Sequence, residues 1–249
     1  MLPEAEVHVW LVPVAIPAQS FAVLQSVLDD DECERARRFR TCTARERFVV
    51  SRGALRLVLG GLTGSPPARL RFARRCGWCG GTDHGKPHLL GHSGLDFSIS
   101  HSGGLALIAV ARGRRLGADV EHVRQGTDVL AIARGSLSPR ERRTIESQGS
   151  DEARRNAFFR CWTRKEAYLK ARGVGLAGGL DTDPEHTGGW QVRSLRTPPA
   201  YVAAVAAEGQ FALRQRTTLW PPNPKLFESP TAPLPSRVRP RSARAPSVT

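Results

Sequence analysis

Three short islands carry most of the chain's chemical equipment: Phe97-Ser-Ile-Ser-His-Ser-Gly103, Gly117-Ala-Asp-Val-Glu121 and Trp162-Thr-Arg-Lys-Glu-Ala-Tyr-Leu-Lys170. Together they offer three carboxylates, one histidine and two of only four lysines. That set suits a divalent cation held against a pyrophosphate. Asp119 and Glu121 stand two apart on a predicted strand, so both side chains leave the same face, roughly 7 Å apart, while Ala118 and Val120 turn to the core. Two carboxylates so placed suit Mg²⁺, which takes oxygen ligands and keeps room for water and phosphate. Taken alone, Asp-x-Glu is common and reads first as a solvated strand end carrying two acids. Glu166 and Lys170 are four apart on a predicted helix, about 40° apart around its axis, with Trp162 one turn earlier. That pair is either an ordinary surface ion pair or a third metal ligand beside a cation for phosphate oxygens. Lys165 lies about 100° away and aims at a neighbouring phosphate or at water.

The other candidates have bland alternatives of their own. His101 follows Ser100 at a strand end before a glycine turn, where hydroxyl, imidazole and the amides near Gly103 can cradle a phosphate. A Ser–His hydrolase is the less attractive reading, given the adjacency and the lack of a G-x-S-x-G elbow. Gly85-Lys-Pro87 places a lysine in a rigid turn, at a ligand edge or simply at the surface. Cys76-x2-Cys79 with His84 and His88 has partial zinc-site spacing, but no second Cys-x-x-Cys follows, so the stretch reads as a loop with free thiols.

Composition limits the options. The chain has 249 residues and a formal net charge of +14; 37 residues are basic and 23 acidic. So strong an arginine bias makes any one surface arginine weak evidence, and a surviving lysine better evidence. A basic body draws anions, whether nucleic acid, anionic lipid, phosphorylated cofactor or acidic protein. A nucleic-acid groove wants aromatics interleaved with its cations, and the arginine-rich stretch 33–75 has only Phe39, Phe48 and Phe72. Five cysteines in a chain of this size do not make a secreted disulfide framework. No apolar run reaches membrane-span length, about 20 residues, and the start lacks the pattern of a signal peptide. The expectation is a reduced, cytoplasmic protein.

The elements that must position the islands follow from pattern. Val7, Val9 and Leu11 alternate as an opening strand. A polar helical segment begins at Asp29–Glu32. Thr43-Ala-Arg-Glu46 fits a capping box for a helix running to a stop at Gly60-Gly61. Phe97–Ser100 and Leu105–Ala111 are strands joined by the four-residue turn His101–Gly104, and Leu116–Val123 is another strand. Ser138-Pro139 opens a helix, Arg155–Arg172 is a long helix ended by Gly173, and 190–195 with 201–207 form a closing hairpin. The fold class is α/β (α+β). Residues 1–112 and 113–220 are expected to form two similar lobes, each a small sheet packed on a long helix, with a Pro/Arg-rich, disordered tail over 221–249.

In this order and spacing the islands resemble the 4′-phosphopantetheinyl transferases, specifically the surfactin-synthetase-activating type serving polyketide and nonribosomal peptide synthetases. The motifs are Gly85-Lys-Pro87, Phe97–Gly103, Gly117-x-Asp-x-Glu121, Phe158-x3-Trp162-x2-Lys-Glu-Ala-x2-Lys170 and Gly173-x-Gly-Leu176, within a match over roughly 5–210. The resemblance implies a monomer of two pseudo-twofold lobes with coenzyme A in the cleft. It implies Mg²⁺ on Asp119, Glu121 and Glu166, and phosphate contacts from Lys170, Ser100 and His101, to which the helical reading adds Lys165. It further puts Lys86 and Pro87 beside the adenine, Arg47 near the 3′-phosphate and Glu141 as a general base. The implied partners are acyl or peptidyl carrier proteins, with no membrane and no specific nucleic acid. Two alternatives stay open: a basic nucleic-acid-binding protein, and a catalytically silent homologue that docks carriers.

Overall fold

The computed structural model describes residues 2–175, 182 and 188–217. The tail expected over 221–249 and Leu176 of the last motif lie outside the described residues. The order is β1 (Glu6–Pro13), α1 (Ala18–Ser26), α2 (Asp30–Arg37), α3 (Cys42–Thr63), β2 (Phe72–Arg75), β3 (Lys86–Leu89), β4 (Leu95–Ser102), β5 (Leu105–Arg112) and β6 (Leu116–His122). There follow α4 (Val129–Ser136), α5 (Pro139–Glu146), α6 (Asp151–Arg172), β7 (Trp190–Ser194), β8 (Tyr201–Glu208) and β9 (Ala212–Thr217). The mixed α+β class expected from sequence holds.

Period-two patterning builds the layers. One sheet runs β4-β5-β1-β9 and a second β6-β8-β7, with β2-β3 a separate ribbon. Val7, Val9 and Leu11 of β1 pack with Leu107 and Ala109 of β5 against Leu116, Ala118 and Val120 of β6 and Val205 of β8. The two sheets therefore share one core. The alternate residues Trp10, Val12, Ile108, Val110 and Phe97 face Val50, Leu55 and Leu59 of α3. On the far side Ala204 and Ala206 of β8 meet Ala167, Leu169 and Ala171 of α6. The result is helix, sheet, sheet, helix. β9 runs parallel to β1, with Val7 opposite Leu213, so the first sheet takes an edge strand from beyond the join expected at 112–113.

Several local expectations shift for physical reasons. The α3 N-cap is Thr41, whose hydroxyl accepts from the Ala44 amide at 3.2 Å, rather than Thr43. The helix runs through Gly60-Gly61 to Gly64, which caps it at φ 70°. Gly60 is there for a close approach: a Cβ on it would sit 2.8 Å from Pro67 Cγ and 2.9 Å from the Ser65 carbonyl oxygen. The β4–β5 turn is the two-residue Gly103-Gly104, since Ser102 pairs with Leu105. α2 has a full capping box between Asp29 and Glu32. Arg56, wholly buried on α3, pins α2 in place through Glu32 at 2.5 Å and through Asp29, and donates to the carbonyls of Pro67 and Leu70. Among the described residues no helix is long and apolar enough to cross a membrane.

Candidate active site

β4 and β6 are the neighbouring edges of the two sheets, and side chains replace the missing backbone ladder between them. Asp96, Ser98, Ser100 and Ser102 all leave one face of β4. Asp96 accepts the Leu116 amide at 2.8 Å, and Ser98 Oγ accepts the Ala118 amide at 3.0 Å. Ser100 donates to Asp119 Oδ1 at 2.7 Å, and Ser102 donates to Glu121 Oε2 at 2.6 Å while accepting the His122 amide. The serines thus join the sheets and aim the two carboxylates of β6.

α6 is brought down on those carboxylates by a glycine. An ideal Cβ on Gly117 would collide with the Ala167 carbonyl oxygen and the Ala171 amide, and would lie 2.8 Å from the Lys170 carbonyl carbon. With no side chain at 117, the α6 backbone rests on β6. Lys170 Nζ then reaches Asp119 Oδ1 at 2.6 Å and Ser100 Oγ at 3.1 Å.

Asp119, Glu121, Glu166, Lys170, Ser100, His101 and Trp162 line one cavity of about 590 Å³. Arg35, Arg52 and Arg74 line it too, beside Asp31 and Glu32. The electrostatics mark it as a site short of ligands. Burial lifts the Glu166 carboxyl above the ordinary range; Lys170 opposes this, and the charges of Asp119 and Glu121 add to it. Burial raises Glu121 as well, against the Ser102 hydrogen bond and with help from Asp119. Burial, then the charges of Arg52 and Arg35, depress Arg74. His101 sits at the cavity mouth, lowered by desolvation and by the cations Arg47, Lys170 and Arg35. Asp119 Oδ2 is buried with no hydrogen-bond partner, a cost of about 1–3 kcal/mol that a cation would remove. Carboxylates with one orphaned oxygen fit a hard divalent ion. The three acids do not close on one another as tightly as Cys76, Cys79 and His84, the group among the described residues whose ligand atoms lie within 4.8 Å of each other.

Residues 115–214 match the profile of the 4′-phosphopantetheinyl transferase superfamily. The chain is 37% identical over 217 residues to the 4′-phosphopantetheinyl transferase HetI of Nostoc sp., spanning 82% of this chain and 88% of that protein. It belongs to the 4′-phosphopantetheinyl transferase superfamily. It is also 30% identical over 195 residues to a phosphopantetheinyl transferase of Thraustochytrium sp. (72% of this chain, 65% of that one). The 4′-phosphopantetheinyl transferase of Bacillus subtilis is 27% identical over 159 residues (64% and 66%).

Not every residue that the transferase resemblance nominated lies in the cavity. Lys165 and Glu141 do not line it. Both are buried, and Lys165 Nζ lies 2.7 Å from Glu141 Oε2. Glu141 Oε2 also accepts the Ser138 amide at 2.7 Å in the α5 capping box, so the pair ties α5 to α6 beneath the surface. Lys86 gives its amine to Asp96 and to the Leu116 carbonyl at 2.7 Å, tethering β3 to β4 and β6. Pro87 borders the acidic cavity and a second one of about 810 Å³. That second cavity is larger but lacks the three acids. Arg47 keeps a buried Nε without a hydrogen-bond partner beside His101. Sequence reasoning missed Ser98, Ser102 and Gly117 as positioning residues. The available signal was the matched alternation of Asp96-x-Ser-x-Ser-x-Ser102 with Gly117-x-Asp-x-Glu121.

Proposed function

We propose that this chain transfers the 4′-phosphopantetheine arm of coenzyme A to a serine hydroxyl of an acyl or peptidyl carrier protein, releasing 3′,5′-ADP. The reading rests on family membership and on one observation: the orphaned Asp119 oxygen beside Glu121, Glu166 and Lys170 in a cavity with cations on its wall. Asp119, Glu121 and Glu166 would hold Mg²⁺, which when bound neutralises and aligns the pyrophosphate. His101, Arg47 and Lys170 are cations or donors for phosphate oxygens, and Lys170 offsets charge on the departing nucleotide. Pro87 and Lys86 edge the adenosine end. Glu166 accepts no hydrogen bond among the described residues, which leaves it an oxygen to take the proton of the attacking hydroxyl, directly or through water.

Carriers of polyketide or nonribosomal peptide synthetases, a monomeric state and a cytoplasmic location complete the proposal. Free cysteines among the described residues agree with a reducing compartment. Carrier domains are acidic as a class, and the charge of +14 favours encounter with them. Neither nucleic-acid binding nor silent docking gives the three acids work.

The test is intact-mass analysis of an apo carrier incubated with the full chain, coenzyme A and Mg²⁺. Gain of one phosphopantetheine, abolished by chelation and by Asp119→Ala, is expected. An unmodified carrier across a panel of carrier types refutes the activity, and full transfer by Asp119→Ala refutes the metal assignment.

A further inference from the structure

The loop between β2 and β3 carries chemistry that the transferase reading does not use. Sequence spacing left it as free thiols, yet the fold gathers one ligand atom each from Cys76, Cys79 and His84 within 4.8 Å of one another. Cys79 Sγ lies 3.2 Å from His84 Nε2. Ligands of a tetrahedral zinc are about 3.3–3.8 Å apart, from Zn–S near 2.3 Å and Zn–N near 2.0 Å. The opposite ring nitrogen, Nδ1, lies 2.7 Å from Asp83 Oδ1. A carboxylate there fixes the ring and leaves Nε2 facing the sulfurs, the arrangement that outer carboxylates impose on zinc-bound histidines.

The backbone supports the same geometry. The Gly80 amide donates to the Cys76 carbonyl at 2.9 Å, the Cys76 amide to the Gly81 carbonyl at 2.8 Å, and the Gly81 amide to Cys79 Sγ at 3.4 Å. Gly80 takes φ 74°, which closes the turn after Cys79. Yet Cys79 and His84 are exposed and Trp78 is 66% exposed, so apolar burial does not hold this loop together. Soft thiolates plus imidazole favour zinc over the hard ion of the acidic cavity.

We infer that Cys76, Cys79 and His84 bind a zinc ion, with solvent completing the tetrahedron, and that this ion clamps the β2–β3 loop. The clamp has a place to act. The Gly77 amide donates to the Gly173 carbonyl at the end of α6, at 2.9 Å. Gly85, at φ 95°, passes so close to Cys76 that a Cβ would lie 2.5 Å from its backbone. Lys86 and Pro87 follow directly. The ion would therefore set the position of the turn between the two cavities, without entering the transfer chemistry.

The test is metal analysis of the untagged full-length chain after exhaustive dialysis against metal-free buffer, with Cys79→Ser, His84→Ala and Asp119→Ala alongside. About one zinc per chain is expected in the wild type and in Asp119→Ala, and less than about a tenth of that in Cys79→Ser and His84→Ala. Cobalt substituted into the wild-type chain should show the intense visible bands of a tetrahedral thiolate site, a readout independent of variant folding. Three outcomes each overturn the inference: a metal-free wild type that also lacks those bands, a Cys76–Cys79 disulfide in the unreduced protein, or zinc retained undiminished in Cys79→Ser. Transfer activity does not enter these readouts, so this proposal and the transferase proposal fail separately.

Discussion

Gly117→Ala is the sharpest test of how the site is assembled. The added Cβ would overlap the Ala167 carbonyl oxygen and the Ala171 amide and stand 2.8 Å from the Lys170 carbonyl carbon. All three are backbone atoms, so no flexible side chain can give way. Restoring ordinary contact requires α6 to withdraw from β6 by about 1 Å, and overpacking of this kind costs about 1–3 kcal/mol. For a chain of this size, 1 kcal/mol corresponds to about 2–4 °C, so the melting midpoint should fall by roughly 2–12 °C. Function should suffer more. The same withdrawal pulls Lys170 from Asp119, now 2.6 Å away, and lifts Glu166 from Glu121. A misplacement of about 1 Å at a reacting centre costs on the order of 100-fold. The assay is the initial rate of labelled-arm transfer from coenzyme A to a carrier, run beside a thermal melt. Gly135→Ala is the control. It sits in α4 with nothing within 4 Å of its would-be Cβ, and should gain about 0.5–1 kcal/mol with no loss of transfer. A Gly117→Ala protein with wild-type rate and midpoint refutes the claim that this contact sets the site.

Three further outcomes follow from the same structure. Arg56→Met should destabilise by about 3–5 kcal/mol, because it strips Asp29 of its ion pair and leaves Glu32 with Arg52 alone; a urea midpoint equal to wild type refutes this. Glu141→Gln should lower stability while kcat of the folded enzyme stays within several-fold, whereas loss of a general base would cost about 10²–10⁴; a drop of that size returns Glu141 to the chemistry. Glu166→Gln should melt together with wild type near about pH 4.5 and above it near about pH 8. The folded carboxyl has a raised pKa, so its stability is present below the unfolded value of 4.5 and is lost as pH rises through the folded one; a difference independent of pH refutes the assignment.

Much of the frame was legible because it depends on local pattern. Alternation at Val7, Val9 and Leu11 gave β1, and Ser138-Pro139 gave the start of α5. Gly173 in the left-handed region ends α6 at φ 72°, as the sequence suggested. The carboxylates of β6 and the Glu166–Lys170 pair of α6 were also readable, since two periodicities, 2 and 3.6, decide which residues share a face. The misses came from contacts distant in sequence. Nothing local announces that 212–217 will add to β1 in parallel. The glycines at 60 and 61 looked like a helix stop because a glycine's use as a contact surface depends on what packs there, and Pro67 packs there. Lys165 looked like a phosphate ligand because a lysine is assumed to seek solvent. Its burial against Glu141 depends on α5 folding back over α6.

The charge arrangement explains how so acidic a floor coexists with a folded chain. Three carboxylates line one cavity where two sheets and a helix meet, and burial favours the neutral forms of Glu121 and Glu166. Ser100 and Ser102 each spend a hydroxyl on one of them, and Lys170 places its ammonium on Asp119. Those same groups hold β4 to β6 and α6 to β6, so the contacts that assemble the fold also give Asp119 and Glu121 their hydrogen bonds. What they leave uncompensated is specific: Asp119 Oδ2 without a partner, and Glu121 and Glu166 with raised pKa values. Arg35, Arg52 and Arg74 line the same cavity beside Asp31 and Glu32, Arg52 pairing with Glu32 at 2.6 Å, and burial together with the charges of Arg52 and Arg35 depresses Arg74. A duplex or a lone anion would satisfy the arginines and worsen the acids. A lone cation would do the opposite. A polyanion carrying its own divalent ion satisfies both at once, which is the reason a metal-bound pyrophosphate is proposed for this cavity rather than a ligand of a single charge sign.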